Sequence, residues 1–447
     1  MFFIGINLVY KYNFFYLRNT ILYAIQMKED FLHHLWLYKR LDITQLQTTT
    51  GEHIQILHFG HYLQSAGPDF FNAQLIIGDQ KWAGNIEMHL KSSDWYLHNH
   101  QSDVNYDNVI LHVVWEHDID VFRKNNEAIP VLELKHYVSK EQIKQYQNLF
   151  RPKSWINCEN ELALVDKFLI QNWQERLFFE RLEQKSQVVK DWLLETQNDW
   201  EQVTFGLLFK NFGLNSNGAP FFAIAKEIPF SIVRKERENL QHLEALFFGI
   251  SGLLESDFED KYPKTLQQNW WYLKQKYQLK TASQEVQFFK LRPDNFPTIR
   301  LAQLAALFHK HHSVFQLLSV NSNMKELREL FTVSASKYWE THYQFDKESP
   351  KKRKQLSSEF IDLLLVNTIL PLQFSYADYQ GTDKTEDLLG LIQQVKAESN
   401  TVISKFESIG ITSENAFQTQ ALLQLKKNYC QKNQCLHCQI GIHLLKK

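Results

Sequence analysis

Three of the four cysteines in this chain lie together near its end, at Cys430, Cys435 and Cys438. Four residues separate the first pair and two separate the second, a spacing that lets consecutive thiolates converge on one centre, as in iron–sulfur sites. The fourth cysteine, Cys158, lies far upstream and is the candidate to complete the set. We therefore predict a structural centre held by four thiolates, either a 4Fe-4S cluster or Zn²⁺.

Two alternatives to the four-cysteine set remain open. His437 or His443 replaces Cys158 in the first, because imidazole nitrogen is an ordinary zinc ligand. In the second, the clustered cysteines are free thiols packed near a C-terminal helix, where cysteine behaves as a small apolar residue.

A second group of chemically capable residues lies on one predicted strand, Gly84–Lys91. Side chains alternate along a strand, so Glu87, His89 and Lys91 share one face, and Asp69 enters from the neighbouring strand. Two carboxylates about 4 Å apart repel by roughly 4 kcal/mol at an effective dielectric constant near 20. A Mg²⁺ ion removes that repulsion. The pattern predicts Mg²⁺ on Asp69 and Glu87, with His89 or Lys91 assisting hydrolysis.

The segment after this strand offers a second interpretation. Asp94, His98 and His100 follow it closely. Together with His89 they form the ligand types of a His/Asp metal hydrolase site. A surface loop explains His98 and His100 nearly as well.

The elements that must position these residues change character along the chain. The alternation and length of the apolar runs predict a helix over residues 28–41 and then a series of strands. These strands are Ile54–Phe59, Ala73–Ile77, Lys81–His89, Val109–Trp115 and Val131–Leu134. Val109–Trp115 is almost continuously apolar, which is typical of a central strand covered on both faces.

From about residue 160 the apolar spacing becomes helical. The clearest predicted helices are Leu169–Leu194, Trp200–Phe212, Leu240–Leu254, Ile299–Leu317, Lys325–Ser336, Ser358–Leu370 and Leu388–Ile409. We expect an α+β protein with an α/β domain over residues 27–150, a helical domain over 151–425 and a cysteine-rich metal-binding tail over 426–447. Residues 1–26 are expected to be a non-native extension.

Two segments of the helical part offer cations to a phosphate. One is the loop from Arg292 to Thr298, with Arg300 beyond it. The other is the basic run Lys351–Lys354. A rigid loop with Thr298 as helix N-cap and a solvated run of charges are the simpler interpretations.

The composition limits the class of protein. The chain has 447 residues, 44% of them hydrophobic, which is enough for more than one folded domain. Its formal net charge is −1, so any nucleic-acid contact must come from local patches. Its four cysteines are too few for a secreted disulfide framework, and the uncharged runs of residues 1–26 are too short to span a bilayer. We expect a cytoplasmic protein that does not interact with membranes.

The Pro68-Asp69 pair and the Glu87-Met88-His89 triplet resemble the signature of the PD-(D/E)XK phosphodiesterase superfamily. That superfamily has an Asp at the start of one strand and Glu-x-Lys on the next, so His89 departs from it. The resemblance implies a core of helix, β-meander, helix and strand. It also implies that an acid on the first helix completes the site, and Glu29 is the candidate.

A wider resemblance rests on several motifs. They include Gly67-Pro68-Asp69-Phe70, Gly84-Asn85-Ile86-Glu87-Met88-His89, Ser92-Ser93-Asp94-Trp95, Arg292-Pro293-Asp294-Asn295-Phe296-Pro297 and the terminal cysteine run. From Met27 onward the chain resembles the bacterial family called domain of unknown function 2851. This family implies no chemistry.

These observations lead to one functional expectation and one alternative. The expectation is a metal-dependent, nuclease-like protein that hydrolyses DNA or RNA, with the helical domain helping to hold the nucleic acid. The alternative is a non-catalytic nucleic-acid-binding or scaffold protein on a degenerate nuclease fold. The replacement of Lys by His89 favours the alternative.

Overall fold

The structure is a computed structural model, and it describes residues 27–62, 67–150 and 155–446. The predicted extension, residues 1–26, lies outside the described residues. The chain divides into two compact units. The first comprises the described residues within Met1–Ile170 and Lys427–Lys447, and the second comprises Gln171–Lys426. The expected mixed α+β class, with an N-terminal sheet and a large helical part, is confirmed.

Within the described residues, the first unit begins with a helix, which packs on a mixed six-stranded sheet. The strand order is β1-β3-β4-β5-β6, with β2 paired to β3; β4, β5 and β6 run parallel, and the other pairs are antiparallel. The elements are helix α1 (Glu29–Leu37) and strands β1 (Ile54–His58), β2 (His61–Tyr62), β3 (Phe70–Ile77), β4 (Gln80–Lys91), β5 (Val109–Glu116) and β6 (Val131–Glu133). All five predicted strands are present, with ends shifted by a few residues.

A tight hairpin sets the register of the two strands that carry the predicted carboxylates. Ile77 pairs with Gln80 across a two-residue loop that begins at Gly78, whose φ is +58°. Such left-handed φ values suit the short turns that join antiparallel strands. Toward the far end of the hairpin the register shifts by one residue between Ala73 and Phe70, so Phe70 pairs with Ile86. This shift brings the residues next to the pair, Asp69 and Glu87, opposite each other.

The two faces of β4 have different surroundings. Ile86 and Met88 belong to a buried cluster with Leu32 and Trp36 of α1. Glu87 and His89 alternate with them and lie on the other face. On that face Trp95, of the short helix α2 (Asp94–Leu97), packs with apolar residues of β5 and β6. Two hydrophobic clusters therefore enclose the middle of β4, and Glu87 and His89 are buried with it.

The helices that follow the sheet are α3 (Lys140–Leu149), α4 (Lys167–Glu195), α5 (Trp200–Phe212), α6 (Leu214–Lys226), α7 (Phe230–Glu236), α8 (Leu240–Ile250), α9 (Lys261–Tyr277), α10 (Pro297–Lys310), α11 (Val314–Val320), α12 (Met324–Leu330), α13 (Ser358–Leu364), α14 (Leu370–Gln380), α15 (Thr385–Gln393), α16 (Thr401–Ser408) and α17 (Ala416–Gln424). The strand pair β7 (His342–Gln344) and β8 (Lys347–Glu348) interrupts them.

Phenylalanine supplies much of the core of the second unit. The ring centroids of Phe205 and Phe209 on α5 lie 4.5 Å apart. The Phe247 ring lies 4.8 Å from Phe209, and the Phe308 ring lies 5.1 Å from Phe205. Large rings in edge-to-face contact bury much apolar area. The high phenylalanine content of the sequence is thus explained by packing.

Several predicted helices of this unit differ from those observed. The predicted helix Ile299–Leu317 is two helices, because the backbone is extended at His311. The predicted helix Leu388–Ile409 is also two, because the Asn400 side chain caps a new helix start. Thr298 is not an N-cap: Phe296 holds that position, Pro297 follows it, and the Thr298 hydroxyl donates to the Tyr343 carbonyl.

The predicted helix Ser358–Leu370 continues to Gln380 through a π-helical turn, Leu365–Ile369. Pro371 lies just beyond that turn. It lacks an N–H and clashes with the preceding turn of a regular helix, and a wider turn relieves the clash. Among the described residues, Ser358–Gln380 is long and apolar enough to cross a membrane, but 72% of its most apolar window is buried inside the protein. A mostly buried core helix has the same length and hydropathy.

The C-terminal segment belongs to the first unit. It contains a π-helical turn (Leu425–Cys430), a 3₁₀ turn (Cys435–His437) and the last helix, α18 (Gln439–Lys446). Leu436 and Leu445 pack with Phe31 of α1 and Tyr146 of α3. A side chain at Gly441 would place its Cβ 2.1 Å from the Cys435 carbonyl oxygen. Only glycine fits this close approach.

Candidate metal centre

Asp69 and Glu87 meet where β3 begins beside β4, close to α1. The Asp69 backbone N–H donates to Glu87 Oε2 at 3.2 Å, and the Met88 N–H donates to Asp69 Oδ2 at 2.9 Å. Only 5% of Glu87 is exposed. Burial raises the pKa of Glu87 to about 9, and the Asp69 carboxylate adds to the rise. A cation bound to both carboxyl groups would remove the repulsion between them and the cost of burying a charged Glu87.

Histidines surround the Glu87 carboxylate. Glu87 Oε1 lies 3.5 Å from His89 Nε2 and 3.3 Å from His100 Nε2. One ring nitrogen from each of His89, His98 and His100 lies within 4.8 Å of the others. Burial lowers the pKa of His89 to about 2, so its ring is neutral near pH 7. Neutral imidazole is the form that binds a metal.

His112 on β5 fixes the orientation of His89. His112 pairs in register with Glu87, and its Nε2 lies 2.8 Å from His89 Nδ1. This bond points His89 Nε2 toward Glu87 and His98. The distance from His89 Nε2 to His98 Nδ1 is 3.0 Å. Histidines that bind metals usually have such a hydrogen-bonding partner on their second nitrogen. The Tyr106 ring stacks on His100 at 3.7 Å and holds that side chain in place.

Helix α1 contributes two further groups. Glu29 and His33 are four residues apart and share one helical face. His33 Nε2 lies 3.2 Å from Asp69 Oδ2. Burial lowers the pKa of His33, but the Asp69 carboxylate and other acids outweigh it, and the net shift is upward. Burial raises the pKa of Glu29, which also responds to His98 and Asp69. Both residues therefore face the same site.

Most of the residues predicted for this site converge. Asp69, Glu87 and His89 lie together, with His98 and His100 of the second interpretation beside them. Glu29 lies near enough to His98 and Asp69 for their charges to affect its pKa. Lys91 lies at the end of β4 with an exposed side chain. Asp94 Oδ2 accepts a hydrogen bond from the Lys91 backbone N–H at 3.0 Å.

Sequence reasoning missed His33 and undervalued His112. The spacing from Glu29 to His33, one helical turn, was a usable signal for the first. His112 lies on a strand that is almost continuously apolar, where a histidine is more often a satisfied core residue than part of a site. Only the parallel register of β4 and β5 places it against His89.

The cysteines form a second candidate centre within the same unit. Cys435 and Cys438 are buried, and Cys158 and Cys430 are half-buried. Burial raises the pKa of Cys158 to about 12, with the Cys438 and Cys435 thiols adding to the rise. These interactions place Cys158 near two of the tail cysteines. The closed four-cysteine set stays a prediction.

Asn157 strengthens the link between the two cysteine segments. Its side-chain Nδ2 donates to Asn433 Oδ1 at 3.1 Å and to Cys435 Sγ at 3.4 Å. An N–H donor to sulfur favours the thiolate, the form that binds metals. His437 lies close enough to His34 of α1 to lower the pKa of that histidine.

The first unit thus has a mixed sheet whose edge gathers carboxylates and histidines, a site type found in metal-dependent proteins. A family model described as "Protein of unknown function (DUF2851)" matches residues 29–401, which is most of the chain. The chain belongs to this family. The matched residues include Glu29, Asp69, Glu87 and Cys158 but stop before the three tail cysteines. No curated protein and no solved structure matches the chain.

Proposed function

We propose that this protein is a metal-dependent phosphodiesterase of nuclease type, acting at the site of Asp69 and Glu87. One observation carries the proposal: the buried Glu87 carboxylate lies against a second carboxylate and against a histidine, His89, whose neutral form is favoured. A buried carboxylate without a cationic partner is costly. A bound divalent cation supplies that partner.

The donor atoms fit such a cation. His100 Nε2 is buried and makes no hydrogen bond within the part of the chain that the structure describes, although Glu87 Oε1 lies 3.3 Å away. Asp69 and Glu87 offer the oxygen atoms that Mg²⁺ prefers, whereas His89, His98 and His100 suit Mn²⁺ or Zn²⁺ better. We therefore extend the expected Mg²⁺ to these two ions.

The residues divide the chemical work. Asp69 and Glu87 hold the cation, which supplies Lewis acidity and an activated water when bound. His89, oriented by His112, completes the ligands. His33, whose pKa is raised, is placed to donate a proton or stabilise developing negative charge near Asp69. His33 takes the role that Lys91 was expected to fill.

Nucleic acid is the proposed substrate because of the strand arrangement around the site. An Asp precedes β3, Glu-x-His lies on the antiparallel β4, and β5 runs parallel to β4. This order agrees with what the PD-(D/E)XK resemblance implies. The non-catalytic alternative, a binding or scaffold protein, is favoured by His89 at the Lys position.

A nuclease panel tests the proposal. Single- and double-stranded DNA and RNA are incubated with the full chain and Mg²⁺, Mn²⁺ or Zn²⁺. Glu87→Ala is expected to lose activity by about a hundredfold or more, since the cation loses an oxygen ligand. Glu116→Ala, an exposed glutamate on β5, is the matched control. Metal binding that Glu87→Ala abolishes, without hydrolysis of any substrate, supports the non-catalytic alternative.

For the cysteines we propose a structural centre of zinc or an iron–sulfur cluster that fastens the tail to the segment around Cys158. Anaerobic purification distinguishes the two, because a cluster is coloured and zinc is not. Elemental analysis of Cys158→Ser tests the fourth ligand. Loss of the metal supports Cys158, and unchanged content directs attention to His437 or His443.

A further inference from the structure

Three separate stretches of the second unit line one cavity of about 570 Å³. One is the loop with Arg292, continued into α10 as far as Gln303. Another is the basic run from Lys352, continued into α13 as far as Leu363, and the third is Leu214 at the start of α6. The volume falls in the range of small-molecule sites, about 300–1,000 Å³. The cavity is lined by Arg292, Asp294, Arg300, Gln303, Lys352, Arg353, Lys354, Glu359 and Phe360, among others.

Arg300 is the built centre of this cavity. Only 5% of it is exposed. Its two terminal nitrogens donate to Gln303 Oε1 at 2.9 Å and to Asn295 Oδ1 at 2.6 Å. The guanidinium carbon lies 3.5 Å from the Phe360 ring centroid. These contacts fix the guanidinium without neutralising it, because both hydrogen-bond acceptors are uncharged amides.

One nitrogen of Arg300 has no partner: its Nε is buried and makes no hydrogen bond within the residues that the structure describes. A buried donor without an acceptor costs about 1–3 kcal/mol. A ligand oxygen that reaches Nε would remove that cost, and the terminal nitrogens have further N–H groups to donate. Burial also lowers the pKa of Arg300 to about 10, which leaves the group charged near pH 7.

The charge in the cavity is unbalanced. Five cationic side chains (Arg292, Arg300, Lys352, Arg353 and Lys354) and two acids (Asp294 and Glu359) line it, so the formal excess is three positive charges. Asp294 is already paired with Lys352, 2.7 Å away. Lys354 is 3% exposed, and its Nζ donates to the Glu340 carbonyl oxygen at 2.9 Å. An excess of this size favours a multiply charged anion over a single carboxylate.

We propose that this cavity binds the phosphate group of an organic phosphate of nucleotide size. Guanidinium groups pair well with phosphate oxygens, and Arg292 and Arg300 both line the cavity. The apolar lining residues Leu214, Ile299 and Leu363 would contact the organic part. The proposal does not depend on hydrolysis at the Glu87 site.

Calorimetric titration of the full chain tests this site. The probes are adenosine 5′-monophosphate, adenosine and inorganic phosphate. Saturable binding of the monophosphate and not of adenosine is expected. Arg292 is exposed, so Arg292→Ala should fold, and it is expected to weaken binding about tenfold, as for loss of one charge-assisted hydrogen bond. Lys351→Ala is the matched control, because Lys351 belongs to the same basic run and does not line the cavity.

Two outcomes overturn the proposal: none of the phosphate probes binds, or Lys351→Ala weakens binding as much as Arg292→Ala. A further comparison uses short single-stranded DNA with and without a 5′-phosphate. Tighter binding of the phosphorylated strand than of the free nucleotide identifies a strand end as the source of the phosphate. The reverse order identifies a free nucleotide.

Discussion

Two buried glutamates, one in each unit, have opposite electrostatic environments. The side chains of Glu87 in the first unit and Glu236 in the second are both 7% exposed. Burial raises the pKa of Glu87 to about 9. Burial alone would also raise the pKa of Glu236, but its hydrogen-bond donors outweigh that and lower the pKa to about 2.

The neighbours explain the difference. Glu236 accepts hydrogen bonds from Lys276 at 2.7 Å, from Tyr277 at 2.5 Å and from His242 at 2.7 Å. Glu87 has Asp69 and histidines instead. The charge of Glu236 is balanced by cationic and hydroxyl donors of its own chain, so it needs no ligand. Glu87 lacks such a cation and lies among clustered carboxyl and imidazole groups, and this combination supports the metal proposal.

The largest expected effect is a gain in stability from Glu87→Gln in metal-free protein. At pH 7 the folded protein must keep Glu87 protonated, which costs about 3 kcal/mol relative to the unfolded chain. Glutamine removes this cost and still accepts the Asp69 N–H. Urea unfolding with a chelator present should show the gain. Glu116→Gln should stay within about 0.5 kcal/mol of wild type, and a loss of stability in Glu87→Gln would contradict the comparison.

A divalent cation should remove most of the difference in stability between Glu87→Gln and wild type. At one hundred times its dissociation constant, a ligand of the folded state adds about 2.7 kcal/mol of stability. Wild type and Glu236→Gln should both gain this amount from Mn²⁺, as measured by a rise in Tm. Glu87→Gln should gain little, since one oxygen ligand is gone. An equal gain in all three proteins would place the metal elsewhere.

The positions of the strands along the chain were predictable because each strand is short, apolar and bounded by turn residues. The hairpin at Gly78 alone does not bring Asp69 to Glu87: its register places Asp69 opposite Met88, and a one-residue shift between Phe70 and Ala73 moves it opposite Glu87. The burial of Glu87 was not predictable from alternation alone. Alternation assigns Glu87 to one face of the sheet, whereas Trp95 and its neighbours cover that face as well.

In the helical half, apolar spacing alone did not predict where helices end. Predicted helices ran through breaks at His311 and before Asn400, because apolar spacing continues across both. The cavity around Arg300 could not be predicted without the tertiary structure. Arg292 and Arg300 lie in one segment and Lys354 lies in another about 50 residues later, and no local pattern indicates that the two segments share a cavity.

A smaller effect of the opposite sign is expected from Glu236→Gln. The folded pKa of Glu236 lies below its unfolded value of 4.5, at about 2. Its contribution to stability is therefore present above pH 4.5 and is lost as pH falls toward 2. At pH 7 the substitution should cost about 2 kcal/mol, a figure reduced for solvent screening at the partly exposed Lys276 and His242. Urea unfolding at pH 7 and pH 3 should show a smaller cost at pH 3.

The smallest expected effect is a difference in stability cost between Tyr→Phe substitutions at two tyrosines, one beside each of these glutamates. Tyr277 donates its hydroxyl proton to Glu236, so Tyr277→Phe should cost about 1 kcal/mol, as expected for a hydrogen bond to a charged group that water can partly replace. Tyr106 contacts the first site through its ring, stacked on His100 at 3.7 Å, and Tyr106→Phe keeps that ring. Its cost should stay below about 0.5 kcal/mol. Chemical denaturation of both variants at pH 7 makes the comparison. If Tyr106→Phe is the more costly of the two, the hydroxyl of Tyr106 interacts with the Glu87 carboxylate, and the first site is less dependent on an external cation than we infer.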